Sequence, residues 1–148
     1  MLKKNLILHS FILYMVFFSN ILGAADLTNL TPSEVNSGLG KDAIIIDIRT
    51  PQEWQKTGII PGSHPLSFFD PNGKYNTQQW LAEVQKLQST PDQEIILVCH
   101  SGGRSGRVGT LLSEKLNMSN VSHLQNGITG WLKEQRPTEK ACTPTQTC

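Results

Sequence analysis

Ile95-Ile96-Leu97-Val98-Cys99-His100-Ser101-Gly102-Gly103-Arg104-Ser105 runs from four consecutive apolar residues, through a cysteine and a glycine pair, into a basic polar segment. Unbroken apolarity over residues 95–98 suits a strand buried on both faces. Beyond the glycines, Val108, Leu111, Leu112 and Leu116 recur at helical spacing, so the stretch reads as strand, turn and helix. The same alternation extends in both directions. Residues 43–48 form a second β-branched run, residues 121–124 a third, and residues 64–67 a brief fourth. Thr31-Pro32-Ser33-Glu34 and Thr50-Pro51-Gln52-Glu53 both carry the capping-box pattern with proline at the first helical position. Trp80, Leu81, Val84 and Leu87 mark a helix that starts near Asn76 and stops around Ser89-Thr90-Pro91. Asp70-Pro71-Asn72-Gly73 is a turn, and Asn126-Gly127 opens a last helix around Trp131. Strands alternating with helices predict an α/β fold with a mainly parallel sheet covered on both faces. Ligands of such sheets sit outside the carboxyl ends of the strands, where Cys99 stands.

The two ends of the chain read differently from its middle. Lys3 and Lys4 precede an apolar run over residues 6–18, broken only by His9 and Ser10, and Gly23-Ala24-Ala25 follows. This is the layout of a secretory signal, with cleavage expected after Ala25. As a retained anchor the run is short, because a spanning helix takes about 20 residues. No stable membrane span is expected after processing. Removing residues 1–25 takes two lysines and moves the formal charge from +1 to −1. That balance leaves no electrostatic footprint for nucleic acid or an anionic membrane. Residues 26–137 are expected to form one domain, and residues 138–148 a flexible tail containing Cys142 and Cys148. Export implies a compartment, the periplasm, in which disulfides form. Three cysteines leave one over there; the simplest arrangement pairs Cys142 with Cys148 and leaves Cys99 free, the alternative being a tail cysteine joined to Cys99.

A cysteine at a strand end often only fills core volume. The residues after Cys99 argue otherwise. Gly102 and Gly103 permit a tight turn and close approach to a ligand, Ser101 and Ser105 add hydroxyl donors, and Arg104 adds a fixed positive charge. A helix beginning there turns its free amides and positive dipole end back toward the sulfur. Residues 100–105 thus predict an anion cradle around a thiolate.

The stretch from Val98 to Ser105 resembles the active-site loop of the rhodanese family of sulfurtransferases. Asp47-Ile48-Arg49, Glu53 and Gly58-Ile59-Ile60-Pro61-Gly62-Ser63 resemble its amino-terminal signature, and Leu124-Gln125-Asn126-Gly127-Ile128-Thr129-Gly130-Trp131 its carboxyl-terminal one. The resemblance implies a three-layer fold around a central, mainly parallel sheet of about five strands. It also implies a two-step transfer, in which Cys99 takes a sulfane sulfur from a donor such as thiosulfate and holds it as a persulfide. A thiol, cyanide or a protein partner then removes that sulfur. No metal or other cofactor is needed for such covalent catalysis. Cysteine-based phosphatases place five residues between cysteine and arginine, whereas four separate Cys99 from Arg104; the tighter loop suits one sulfur atom better than a tetrahedral phosphate. A binding module that carries persulfide between proteins, with little small-molecule turnover, is the alternative.

Supporting residues are expected as follows. His100 leaves the strand pointing away from Cys99 and is a weak general base. Arg104 either holds the anionic donor or persulfide, or pairs with a strand-end carboxylate, for which Asp47 is the candidate. Arg49 and Glu53 pair across the start of their helix. Asn126 replaces the first glycine of the family's usual pair and is expected to tolerate left-handed angles. Ile59 stands where the family often has histidine, so that position is not required for sulfur chemistry. Phe68 and Phe69 either pack in the core or border the pocket.

Overall fold

The computed structural model describes residues 26–36 and 42–141. Five strands form one sheet: β1 (Thr28–Leu30), β2 (Ile44–Asp47), β3 (His64–Pro65), β4 (Ile95–Val98) and β5 (Val121–Leu124). They lie in the order β1-β5-β4-β2-β3, and every pairing is parallel. The helices are α1 (Pro32–Asn36), α2 (Pro51–Thr57), α3 (Thr77–Leu87), α4 (Gly103–Thr110) and α5 (Gly127–Lys133). α4 runs on into a π-helical turn over Leu111–Lys115. Among the described residues no helix is long and apolar enough to cross a membrane.

The unbroken apolar runs do what their lack of alternation demands. Ile95 and Leu97 of β4 join Ile44, Ile46, Trp80, Val84, Val108 and Leu112 on one face, beneath α3 and α4. Ile96 and Val98 join Leu30, Val35, Leu124, Ile128 and Trp131 on the other, beneath α1 and α5. Both faces of the sheet are therefore core, and all four residues of β4 are fully buried. The expected three-layer α/β architecture with five strands is the one observed.

Two connections set the position of the site. β2 leads through α2 to β3 on one side, while β4 leads through α4 to β5 on the other. The adjacent strands β2 and β4 thus send their chains in opposite directions, which opens a crevice at their carboxyl ends. Residues 48–50 and 99–103 line up there.

Both capping boxes form. The Thr31 amide donates to Glu34 Oε2 at 2.7 Å, and Thr50 and Glu53 cap each other reciprocally at the start of α2. Beyond Pro137 the chain does not leave the surface at once. Ile59 and Glu139 exchange two backbone hydrogen bonds of 2.9 Å, and Glu139 Oε1 accepts from the Gly62 amide at 2.8 Å. Gly58 (φ +73°) lets this segment approach, since a Cβ there would lie 2.7 Å from the Glu139 carbonyl oxygen. The tail expected from residue 138 is held for its first residues by these backbone bonds. Residues 1–25, Cys142 and Cys148 lie outside the described residues.

Candidate active site

Cys99 continues the alternation of β4, so its side chain points toward the α3/α4 face. It is 1% exposed, and the loop after it folds over the sulfur. The Gly102 amide donates to Cys99 Sγ at 3.2 Å, and the Ser105 hydroxyl lies 3.3 Å from the same atom. Gly103, Arg104 and Ser105 form the first turn of α4, whose amides have no acceptor within the helix. The loop therefore gathers N–H and O–H donors and the positive end of a helix dipole about one sulfur.

Two glycines make this curvature feasible. Gly102 has φ +92°, and a Cβ on it would sit 1.7 Å from the Gln125 carbonyl oxygen. Gly127, at φ +53°, lies so close behind the loop that a Cβ would meet the Cys99 carbonyl oxygen at 2.4 Å. From that position α5 clamps the loop. The Ile128 amide donates to the Cys99 carbonyl at 2.9 Å and the Thr129 amide to that of His100 at 3.0 Å, with the Thr129 hydroxyl adding a bond of 2.8 Å. The left-handed residue of this segment is Gly127 and not Asn126, whose φ is −104°. The expectation that Asn126 replaces a glycine for its angle is corrected: the tight approach falls one residue later.

His100, Ser101 and Gly103 are exposed along the loop, whereas Gly102 and Ser105 are buried. The carboxylates pair differently from the sequence reading. Asp47 binds Arg49, both fully buried, with Nε to Oδ1 at 2.9 Å and Nη2 to Oδ2 at 2.7 Å. Arg49 spends its remaining N–H groups on Thr57 Oγ1 and the Gly58 carbonyl, each at 2.7 Å, and on the Glu53 carbonyl at 3.4 Å. Asp47 is thereby committed to fixing α2 and is not the partner of Arg104. That partner is the Glu53 carboxylate, which takes a bidentate grip from both Arg104 Nη atoms. Glu53 is free to do so because Arg49, two residues beyond Asp47, turns back to that nearer carboxylate.

Burial pushes the Glu53 carboxyl up, but hydrogen bonds from Arg104 and from the Thr50 amide outweigh it and bring it to about 2. Glu53 in turn raises Arg104 above its ordinary value, and the charges of Cys99 and Asp47 add to this. A carboxyl held below its unfolded value stabilises the fold above about pH 4.5, and that stabilisation is lost as pH falls toward 2. The pair is partly solvent-exposed, so we expect about 1 kcal/mol after screening. Thermal melts of the wild type should show this acid-side loss and those of Glu53→Gln should lack it. Parallel curves over that range would contradict the pairing.

Beside Arg104 a cleft of about 580 Å³ is lined by Phe68, Phe69, Tyr75, Arg107 and Val108. Phe68 is 4% exposed and belongs to the core, while Phe69 is half-buried. Ring centroids 5.0 Å apart join Phe68 to both Phe69 and Tyr75. The two phenylalanines therefore serve core and cleft together.

With this geometry in place, the comparisons with known proteins agree with the sequence motifs. The rhodanese-like domain family matches residues 31–134, and the chain belongs to that family. Over 116 residues the chain is 30% identical to a probable adenylyltransferase/sulfurtransferase, MoeZ, of Mycobacterium tuberculosis, covering 77% of this chain but 27% of that protein. The chain thus spans about a quarter of the length of the curated relatives it matches. Among solved structures, thiosulfate sulfurtransferase from Pseudomonas aeruginosa superimposes with a TM-score of 0.61 at 25% identity, over 79% of this chain and 21% of that one. The polysulfide-sulfur transferase homodimer of Wolinella succinogenes gives 0.58 at 19% identity, over 83% and 85%.

Proposed function

We propose that this rhodanese-like domain is an exported sulfurtransferase that moves a sulfane sulfur from a small anionic donor such as thiosulfate, through a persulfide on Cys99, to a thiophilic acceptor. The observation that carries this reading is the sulfur of Cys99 at the start of α4, accepting from the Gly102 amide and within reach of the Ser105 hydroxyl. The named activities of MoeZ and of the Pseudomonas enzyme support it.

The chemistry balances without a cofactor. The Cys99 thiolate attacks the outer sulfur of thiosulfate, a new S–S bond forms, and the donor's S–S bond breaks with its electron pair leaving on sulfite. The outer sulfur of the persulfide now carries the negative charge, which the free amides of residues 103–105 and the dipole of α4 stabilise. A thiolate or cyanide then attacks that outer sulfur and releases Cys99 as thiolate. The signal-like layout of residues 1–25 supports a periplasmic setting for this reaction, with a small molecule or a protein thiol as the acceptor.

Mass spectrometry of the purified domain after exposure to thiosulfate tests the reading. The expected result is one added sulfur on the peptide containing Cys99, discharged by cyanide to thiocyanate. A stable added sulfur that cyanide does not remove would instead favour a carrier that delivers persulfide only to a protein. Absence of any sulfur adduct would overturn both.

A further inference from the structure

Behind Cys99 the Ser105 hydroxyl leads on to the buried His123 and then to Asn29, polar groups that the transfer steps leave unused. Ser105 Oγ lies 3.3 Å from Cys99 Sγ and 3.1 Å from His123 Nδ1. The far nitrogen of the same ring, Nε2, lies 2.6 Å from Asn29 Oδ1. Asn29 and His123 are register partners on the adjacent strands β1 and β5. His123 is 6% exposed, and Gly106 leaves room for its ring, since a Cβ there would come within 3.4 Å of Cε1.

We infer that His123 is a positioning residue, which receives the thiol proton of Cys99 by way of the Ser105 hydroxyl and so prepares the thiolate for attack. In the neutral ring, Nε2–H donates to Asn29 Oδ1, and Nδ1 is left as an acceptor facing Ser105. The Ser105 proton then points at Nδ1 and its oxygen lone pair faces the thiol. On ionisation the S–H bond breaks as an Oγ–H bond forms. The former hydroxyl proton passes to Nδ1, leaving a thiolate and an imidazolium with no net change in charge. Ser105 now donates to the sulfur and accepts from Nδ1–H, so one hydroxyl serves both states. Burial holds the basicity of His123 below its ordinary value, which keeps the uncharged ring as the resting form until the thiolate arises beside it. The groups that face the ring are Asn29 from β1, Ser105 and Gly106 from α4, and Cys99 beyond Ser105. None of them carries a fixed charge, and burial alone accounts for the shift of the ring. Ser105 also lies 3.1 Å from the Gly102 carbonyl oxygen, the acceptor it would use if His123 were only structural.

This inference rests on Cys99 being the reacting thiol, but its test does not require sulfur transfer. The pH dependence of iodoacetamide alkylation of Cys99 reports ionisation directly. In His123→Asn, whose amide nitrogen sits near the Nδ1 position but takes up no proton, the midpoint of that profile should move up by roughly one unit. Ser105→Ala should move it in the same direction. An unchanged profile in His123→Asn with a wild-type thermal melt would overturn the relay, whatever Ser105→Ala does, since Ser105 also donates to the sulfur directly. A second measurement covers variants that fold poorly: ¹⁵N NMR of the His123 ring in the wild type and in Cys99→Ala. Loss of the neighbouring anion should lower the pH at which the ring titrates, and identical titration in both proteins would refute the coupling. Alkylation results as expected together with no sulfur adduct would leave the relay standing while the transferase reading fell.

Discussion

Replacing Cys99 by serine is expected to lower sulfur transfer by roughly 10³-fold or more while leaving the fold in place. The substitution changes one atom at a site that is 1% exposed. The Gly102 amide and Ser105 still find an acceptor there, as they now find the sulfur at 3.2 and 3.3 Å. Packing against Val108 and the rest of that face is nearly conserved, so the stability change should stay within about 1.5 kcal/mol. The chemistry is not conserved. A serine hydroxyl stays protonated near neutral pH, and an oxygen–sulfur link does not replace the S–S bond that stores the transferred atom. Thiocyanate formation from thiosulfate and cyanide, followed alongside thermal melts, separates the two effects. Turnover retained by the serine variant would remove Cys99 from the mechanism.

The second large effect is on folding. Arg49→Met should destabilise the domain by about 3–5 kcal/mol, because it strands a fully buried Asp47 carboxylate without its counter-charge. It also takes the guanidinium donors away from the Thr57 hydroxyl and the Gly58 carbonyl, leaving the latter only the longer 3.2 Å bond from Thr57. Against a total stability of about 5–15 kcal/mol, such a loss brings the protein close to unfolding at physiological temperature. Denaturant unfolding measures it. Removing charge at both ends, as Asp47→Leu with Arg49→Met, should recover part of the loss, since the apolar pair leaves no uncompensated ion. A single variant as stable as the wild type would show that water or another donor replaces the guanidinium.

Strands 95–98 and 121–124 could be read from sequence to the residue, because apolar residues fill the first, Val121 and Leu124 end the second, and turn residues bound both. β1 escaped notice: three residues, two of them exposed, give no periodicity. β3 contains only His64 and Pro65, and proline supports no more than an edge pairing. The starts of α1 and α2 were legible from their capping boxes, which are local, whereas α4 and α5 carry no side-chain cap. The site was legible to the same depth. Cys99 and its loop lie within seven consecutive residues, so local patterning exposed them. Its partners do not: Glu53 reaches Arg104 across 51 positions, and His123 reaches Ser105 across 18. Only the parallel stacking of β2, β4 and β5 brings those segments to one end of the sheet. The misassigned ion pairs have the same origin. Arg49 had two carboxylates within reach along the chain, and burial decided for the nearer one.

The near-complete enclosure of Cys99 bears on how this protein lives with oxidants. A buried sulfur meets few of the disulfides that drift past, since a bulky disulfide has little room for the in-line approach that exchange requires. On the proposed reading, a small donor with a terminal sulfur meets less obstruction there than a bulky disulfide does. Discrimination between useful sulfur and wasteful oxidation is then a matter of passage, set by the width of a seven-residue arch.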